Sequence, residues 1–158
     1  MKGLLIRQLD PVNLPDRRGA IYEWCKGDGT RQITICSRNP NIVSGNHYHM
    51  GIDPSKNPER VLILSGAVRI VACNGLENID KIVEGEFSEI SISPLIVHSY
   101  ISLDKKLILI EQRKTVYETF NSDTFHAESF LDYLNMSGKK VSTKAINKYM
   151  KTVESFLR

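Results

Sequence analysis

Nine short runs rich in β-branched and aromatic residues follow one another along most of the chain. They span residues 3–9, 31–37, 42–49, 59–64, 67–73, 79–83, 87–92, 97–103 and 107–112. Turn-formers separate them, among them Pro11 and Pro15, Gly27-Asp28-Gly29, Asn39-Pro40-Asn41 and Asn74-Gly75. No segment between them carries a helical period. Short strands must pair to satisfy their backbone groups and must stack to bury a face. The pattern therefore predicts an all-β barrel or sandwich. Ser65-Gly66, between two β-branched runs, suits either a hairpin or a sharp barrel corner.

A chain of 158 residues suits one domain with room for a real core. No apolar run approaches the roughly 18 residues that a membrane span needs. The apolar part of Met1–Arg7 is too short for a signal peptide. Cys25, Cys36 and Cys73 are odd in number and form no CxxC pair, which predicts reduced thiols in a cytoplasm. The net charge of +3 is uneven. Residues 139–158 hold six Lys/Arg against one Glu, so the rest of the chain is slightly acidic. A nucleic-acid partner is not expected, because that requires a basic stripe on the folded body.

The chemistry concentrates in Gly45-Asn46-His47-Tyr48-His49 and in the run opened by Glu59. Side chains alternate along a strand, so His47 and His49 share a face and Tyr48 points the other way. His98 follows Pro94 in a later strand, so three of the four histidines fall in this set. Three imidazoles and a carboxylate meeting inside a barrel would hold a divalent metal such as zinc, iron, manganese or nickel. No organic cofactor is expected. Tyr100 should share the inward face of His98, as should Glu111 or Arg113 on the last strand. Tyr100 is thus a candidate acid or base beside the metal, and an ordinary core tyrosine is the competing reading.

The His-x-His pair, the later Glu59 with Gly66 seven residues on, and Pro94-Leu95-Ile96-Val97-His98 resemble the two cupin motifs. The resemblance covers roughly residues 15–125. It implies a cupin-type double-stranded β-helix, a jelly-roll barrel, over residues 1–125, with residues 126–158 as a C-terminal extension of two α-helices. Nine residues separate His49 from Glu59, where the family usually has three or four. The extra residues, Gly51 to Pro58, read as an enlarged hairpin loop. Leu95 stands where the family usually has Gly.

Within that family, Asp16-Arg17-Arg18-Gly19 followed by Glu23 is similar to the first segment of deoxysugar-nucleotide 3,5-epimerases. The likeness implies that Arg18 and Glu23 help hold a nucleotide diphosphate, often across a homodimer interface. A guanidinium grips phosphate oxygens in a two-pronged way. The bland alternative is an Asp-initiated turn with a surface Arg. In those epimerases the histidine matching His47 is a base and no metal is used, but a glutamine usually stands where His49 stands here. The His-Tyr-His segment and the Glu59–Gly66 run look most like the cupin half of capsular-polysaccharide nucleotide-sugar enzymes. That likeness implies an isomerase or epimerase of a nucleotide-linked keto-sugar. A metal-dependent cupin dioxygenase and a non-enzymatic small-molecule-binding cupin are the rivals.

After Arg113 the apolar side chains Val116, Tyr117, Phe120 and Phe125 are expected to pack on the outside of the barrel. Ala127, Phe130, Leu131 and Leu134 fit a helical stripe closed by Gly138. Ser142 is positioned to cap a second helix, with Ile146, Tyr149, Met150 and Val153 on one face and Lys144, Lys148 and Lys151 on the other. That helix either meets an acidic partner or membrane surface, or packs its stripe on its own barrel.

Overall fold

The computed structural model describes residues 1–117 and 123–157. Ten antiparallel strands form two sheets. They are β1 (Leu4–Gln8), β2 (Gln32–Arg38), β3 (Val43–Tyr48), β4 (Glu59–Ser65), β5 (Ala67–Cys73), β6 (Asn78–Glu84), β7 (Ser88–Ile92), β8 (Val97–Ser102), β9 (Leu107–Arg113) and β10 (Phe125–His126). One sheet has the order β1-β7-β4-β9-β2, the other β10-β3-β8-β5-β6. Consecutive strands β4 and β5 lie in different sheets, so Ser65-Gly66 is a barrel corner and not a hairpin. Gly66 has φ +89°, and a Cβ there would meet Lys106 O at 2.7 Å. Only glycine turns this corner without moving the neighbouring backbone.

Two apolar clusters explain why β5 and β8 are buried on both faces. Val68, Ile70 and Ala72 point between the sheets, where they meet Val61, Ile63, Ile90, Ile92, Leu107 and Leu109. Val71, Cys73, Val97 and Ile101 point the other way, under α1 (Phe130–Met136) and α2 (Thr143–Glu154). Phe130, Leu134, Ile146, Tyr149 and Val153 cover them. The apolar stripe of α2 is thus spent on the chain's own sheet, as period 3.6 and mutual burial favour. Ser142 Oγ accepts from Ala145 N and caps the helix as read from the sequence. Among the described residues no helix is long and apolar enough to cross a membrane.

The histidine strand β3 departs from simple alternation. Between Gly45 and His47 the pairing of β3 with β8 shifts register, and Gly45 and Asn46 both have positive φ (87° and 56°). Val43 packs on the helix side. Regular alternation from Val43 would send His47 to that side as well. The bulge inserts one residue and reverses the parity, so Tyr48 packs under the helices and His47 faces the interior. The C-terminal helix secures this bulge: Tyr149 Oη donates to Asn46 Oδ1 at 3.1 Å and lies 2.8 Å from Ser99 Oγ.

Candidate metal centre and adjoining cavity

His47 and His49 from the end of β3, Glu59 from the start of β4 and His98 from β8 come together as the sequence predicts. One ligand atom from each lies within 4.8 Å of the others. Glu59 has the inward parity of Val61 and Ile63, and His98 that of Ile96 and Tyr100. Leu95 makes the turn before His98 with φ +62°, a left-handed conformation that a non-glycine residue adopts at a cost. Leu95 N donates to His49 O at 2.8 Å, so this strained turn joins the two histidine segments.

Four polar atoms of this cluster are buried and unpartnered. His47, His49 and His98 Nε2 and Glu59 Oε2 make no hydrogen bond. His98 Nε2 and Glu59 Oε2 are only 2.9 Å apart, yet they are not aligned to bond. On the far edge of the rings, His98 Nδ1 contacts Ile96 O at 3.0 Å and His49 Nδ1 contacts Asp123 O. Ring N–H groups donated to those carbonyls leave both Nε2 lone pairs aimed at the cluster. Buried polar atoms without partners cost free energy, and four lone-pair donors converging at this distance fit a divalent ion.

Burial, with the neighbouring His98 ring, pushes the His47 imidazole down to about 3, so it is neutral at pH 7. Burial alone would raise the Glu59 carboxyl, but the Lys56 ammonium and the facing histidines hold it well below the usual range. Tyr100 is inward, with its ring centroid 5.5 Å from that of His98. Its hydroxyl has no hydrogen-bond partner. Burial and the Glu59 and Glu111 carboxylates push its phenol well above the ordinary value, so it stays protonated at neutral pH.

A cavity of about 720 Å³ is lined by none of the four donor residues and reaches the cluster through Lys56, which contacts Glu59. Arg31, Lys56, Arg113, Tyr117 and Phe125 are among its walls. Val116 and Tyr117 are more than half exposed and Phe125 is 39% exposed. The expectation that they pack on the barrel's outside is corrected for Val116 and Tyr117, which line this cavity. Phe125 also borders it, but its ring stacks on that of Tyr48 on the helix side of the barrel, with centroids 5.5 Å apart, as expected. Phe120 lies outside the described residues. Arg113 Cζ sits over the Tyr117 ring at 5.1 Å. Asp123 shapes the rim: its carboxylate accepts from the backbone N–H groups of Met50, Gly51, Ile52 and Asp53.

Arg18 and Glu23 are not gathered into this site. Arg18 is exposed and grips Asp16, Glu23 is exposed and pairs with Lys26, and neither lines the cavity. The sequence reading missed Lys56. It sits among loop-formers, yet it is buried at 8% exposure, between Glu59 and Glu111. The one signal was a Lys three residues before the candidate ligand Glu59.

An antiparallel barrel enclosing three histidines and a glutamate defines a cupin-type protein. The chain belongs to the family described as the polysaccharide biosynthesis C-terminal domain, whose model matches residues 14–125. Among solved structures it is similar to QdtA, a sugar 3,4-ketoisomerase from Thermoanaerobacterium thermosaccharolyticum in complex with TDP. That match has TM-score 0.68 and 14% identity and covers 87% of this chain and 98% of that one. The WlaRB TDP-quinovose 3,4-ketoisomerase from Campylobacter jejuni matches with TM-score 0.66 and 18% identity, over 84% of this chain and 99% of that one. The capsular polysaccharide assembling protein CapF from Staphylococcus aureus matches with TM-score 0.53 and 24% identity. There 78% of this chain aligns with 32% of that longer one. No curated protein matches the sequence significantly.

Proposed function

We propose that the protein is an isomerase or epimerase of a nucleotide-linked keto-deoxysugar in surface polysaccharide synthesis, with a divalent ion held by His47, His49, Glu59 and His98. The observation that carries the reading is the set of four buried, unpartnered donor atoms beside a cavity walled by Arg31, Lys56 and Arg113. Arg31, which makes no ion pair among the described residues, suits a diphosphate beside the paired Lys56 and Arg113, and the exposed Tyr117 and Phe125 rings suit the flat face of a base. The family's polysaccharide description and the TDP-sugar enzymes that share the fold support the same substrate class.

Moving a carbonyl along a sugar, or inverting the carbon beside it, requires loss and return of an α-proton. A bound divalent ion supplies Lewis acidity toward an oxygen anion. His47 was a candidate for both ligand and base, and one nitrogen cannot be both. Its place in the cluster and its depressed pKa favour the ligand role. Tyr100 keeps its proton and is suited to donate a hydrogen bond to the oxygen anion formed while the α-proton is away. Arg113, fixed by Asp53 at 2.7 Å, is suited to orient the substrate's phosphates.

The same donors serve dioxygenases and binding modules of this fold class, but the Arg31 guanidinium on the cavity wall favours a phosphate-bearing ligand. A homodimer is part of the proposal: Ile33 and Ile35 on edge strand β2, together with Leu14 and Ile21 near Arg18, are exposed apolar residues that a second copy would cover. Three free cysteines fit a cytoplasmic setting. A thermal-shift screen with dTDP and UDP, joined to elemental analysis of untagged protein, tests the reading. Stabilisation by a nucleoside diphosphate is expected, with about one equivalent of divalent metal per chain. Failure of every nucleoside diphosphate to stabilise the protein would overturn the substrate class.

A further inference from the structure

Lys56 stands between the donor cluster and the cavity. Its Nζ lies 2.5 Å from Glu59 Oε1 and 2.6 Å from Glu111 Oε1. Arg113 Nη1 donates to the same Glu111 oxygen at 3.1 Å, and its Nη2 donates to Asp53 at 2.7 Å. Cations and anions thus alternate from the cavity wall inward: Arg113, Glu111, Lys56, Glu59. The backbone that carries Lys56 is firmly held. It belongs to a 3-10 turn, Pro54–Lys56, capped by Asp53, and Ser55 Oγ lies 2.8 Å from Thr115 Oγ1 at the end of β9.

This arrangement divides the two oxygens of Glu59. Oε1 is taken by the ammonium, while Oε2 faces His98 without a hydrogen bond. A divalent ion at the cluster would share Glu59 with a second cation a few ångströms away. Like charges at that range inside a protein repel strongly, and an anion behind one of them offsets the repulsion.

We propose that Lys56 is a positioning residue of the donor cluster. It reserves one oxygen of Glu59, leaves the other for a divalent ion and holds down the affinity for that ion, with Glu111 as the offsetting anion. This rests on reading the four donors as a metal site. Electrostatic control makes a prediction that simple structural support does not: removing the cation and removing its offsetting anion must act in opposite directions.

The test is a chelator-competition titration of Zn²⁺ and Mn²⁺ into the full chain, with circular dichroism to verify folding. Lys56→Met should tighten binding by roughly tenfold or more, and Glu111→Gln should weaken it by a similar factor. Lys56→Arg, which keeps the charge, should stay near the parent. If the methionine variant does not fold, Lys56→Gln removes the charge while keeping a hydrogen bond, and it carries the same expectation. Equal affinities across the set, or weakening in both charge-removing variants, would overturn the proposal. A parent that takes up neither ion while Lys56→Met does would support the role of Lys56 and refute the metal reading of the native chain. Uptake by none of the proteins would overturn both.

Discussion

His98 Nε2 and Glu59 Oε2 face each other at 2.9 Å from strands of opposite sheets, and neither makes a hydrogen bond. The carboxylate is nonetheless anchored, because Lys56 holds its other oxygen. Glu59 therefore serves the donor cluster and neutralises a buried ammonium at the same time. Glu59→Gln should abolish retention of divalent metal. It should also cost roughly 1–3 kcal/mol of stability, since Lys56 loses one of its two carboxylate partners and keeps only Glu111. Urea denaturation and elemental analysis check the two effects, and an unchanged midpoint would contradict the second.

Acid should destabilise the metal-free protein well before ordinary carboxylates titrate. The His47 pKa falls from 6.5 to about 3 on folding. Above pH 6.5 the ring is neutral in both states. Below that the unfolded chain takes the proton and the folded chain does not, so stability is lost progressively down to about pH 3. Glu59, depressed on folding, adds to the loss in the same direction as pH falls below its ordinary value of 4.5. Chelator-treated protein should show a plateau above pH 7 and a decline on the order of 4 kcal/mol toward pH 3. Stepped-pH urea curves that stay flat between pH 6.5 and 4 would show that His47 is not buried as described.

Tyr149 links the last helix to the histidine strand. Tyr149→Phe removes the contacts of its hydroxyl with Asn46 and Ser99 while keeping the ring. A loss of about 1–3 kcal/mol is expected, because polar partners in a buried site are left unpaired. If the contact steers the bulge, metal affinity should fall as well. A stability loss with unchanged affinity would limit Tyr149 to packing.

The left-handed turn at Leu95 separates strain from packing. Leu95→Ala keeps the φ of +62° while losing contacts with the helix-side core. Leu95→Gly loses the same contacts but relieves the backbone. The glycine variant should therefore be more stable than the alanine variant by about 1 kcal/mol, against the usual order for these two residues. Thermal or chemical denaturation of the pair decides it.

Strand positions, the pairing of His47 with His49 and the Ser142 cap were legible in the sequence, because each depends on neighbours a few residues apart. The resemblance to cupins supplied the barrel and the distant His98. Arg18 and Glu23 stand on the surface of the single chain, paired with Asp16 and Lys26. A role for them across a homodimer interface belongs to the proposal, because residue spacing carries no information about a second copy. Outer packing holds for Phe125, which stacks on Tyr48, but not for Val116 and Tyr117, because apolar character does not say which surface a segment will meet.

By itself, then, the sequence determined the alternation of short strands, the helical stripe of α2 and which side chains have lone pairs to offer. Tertiary structure alone decided three things: that a bulge at Asn46 turns the histidine pair inward, that α2 secures that bulge through Tyr149, and that Lys56 is drawn from a polar loop into the interior. The physical reason is range. Periodicity and capping are set by adjacent residues, whereas the burial of a charge depends on which distant carboxylates the folded sheets bring within reach of it.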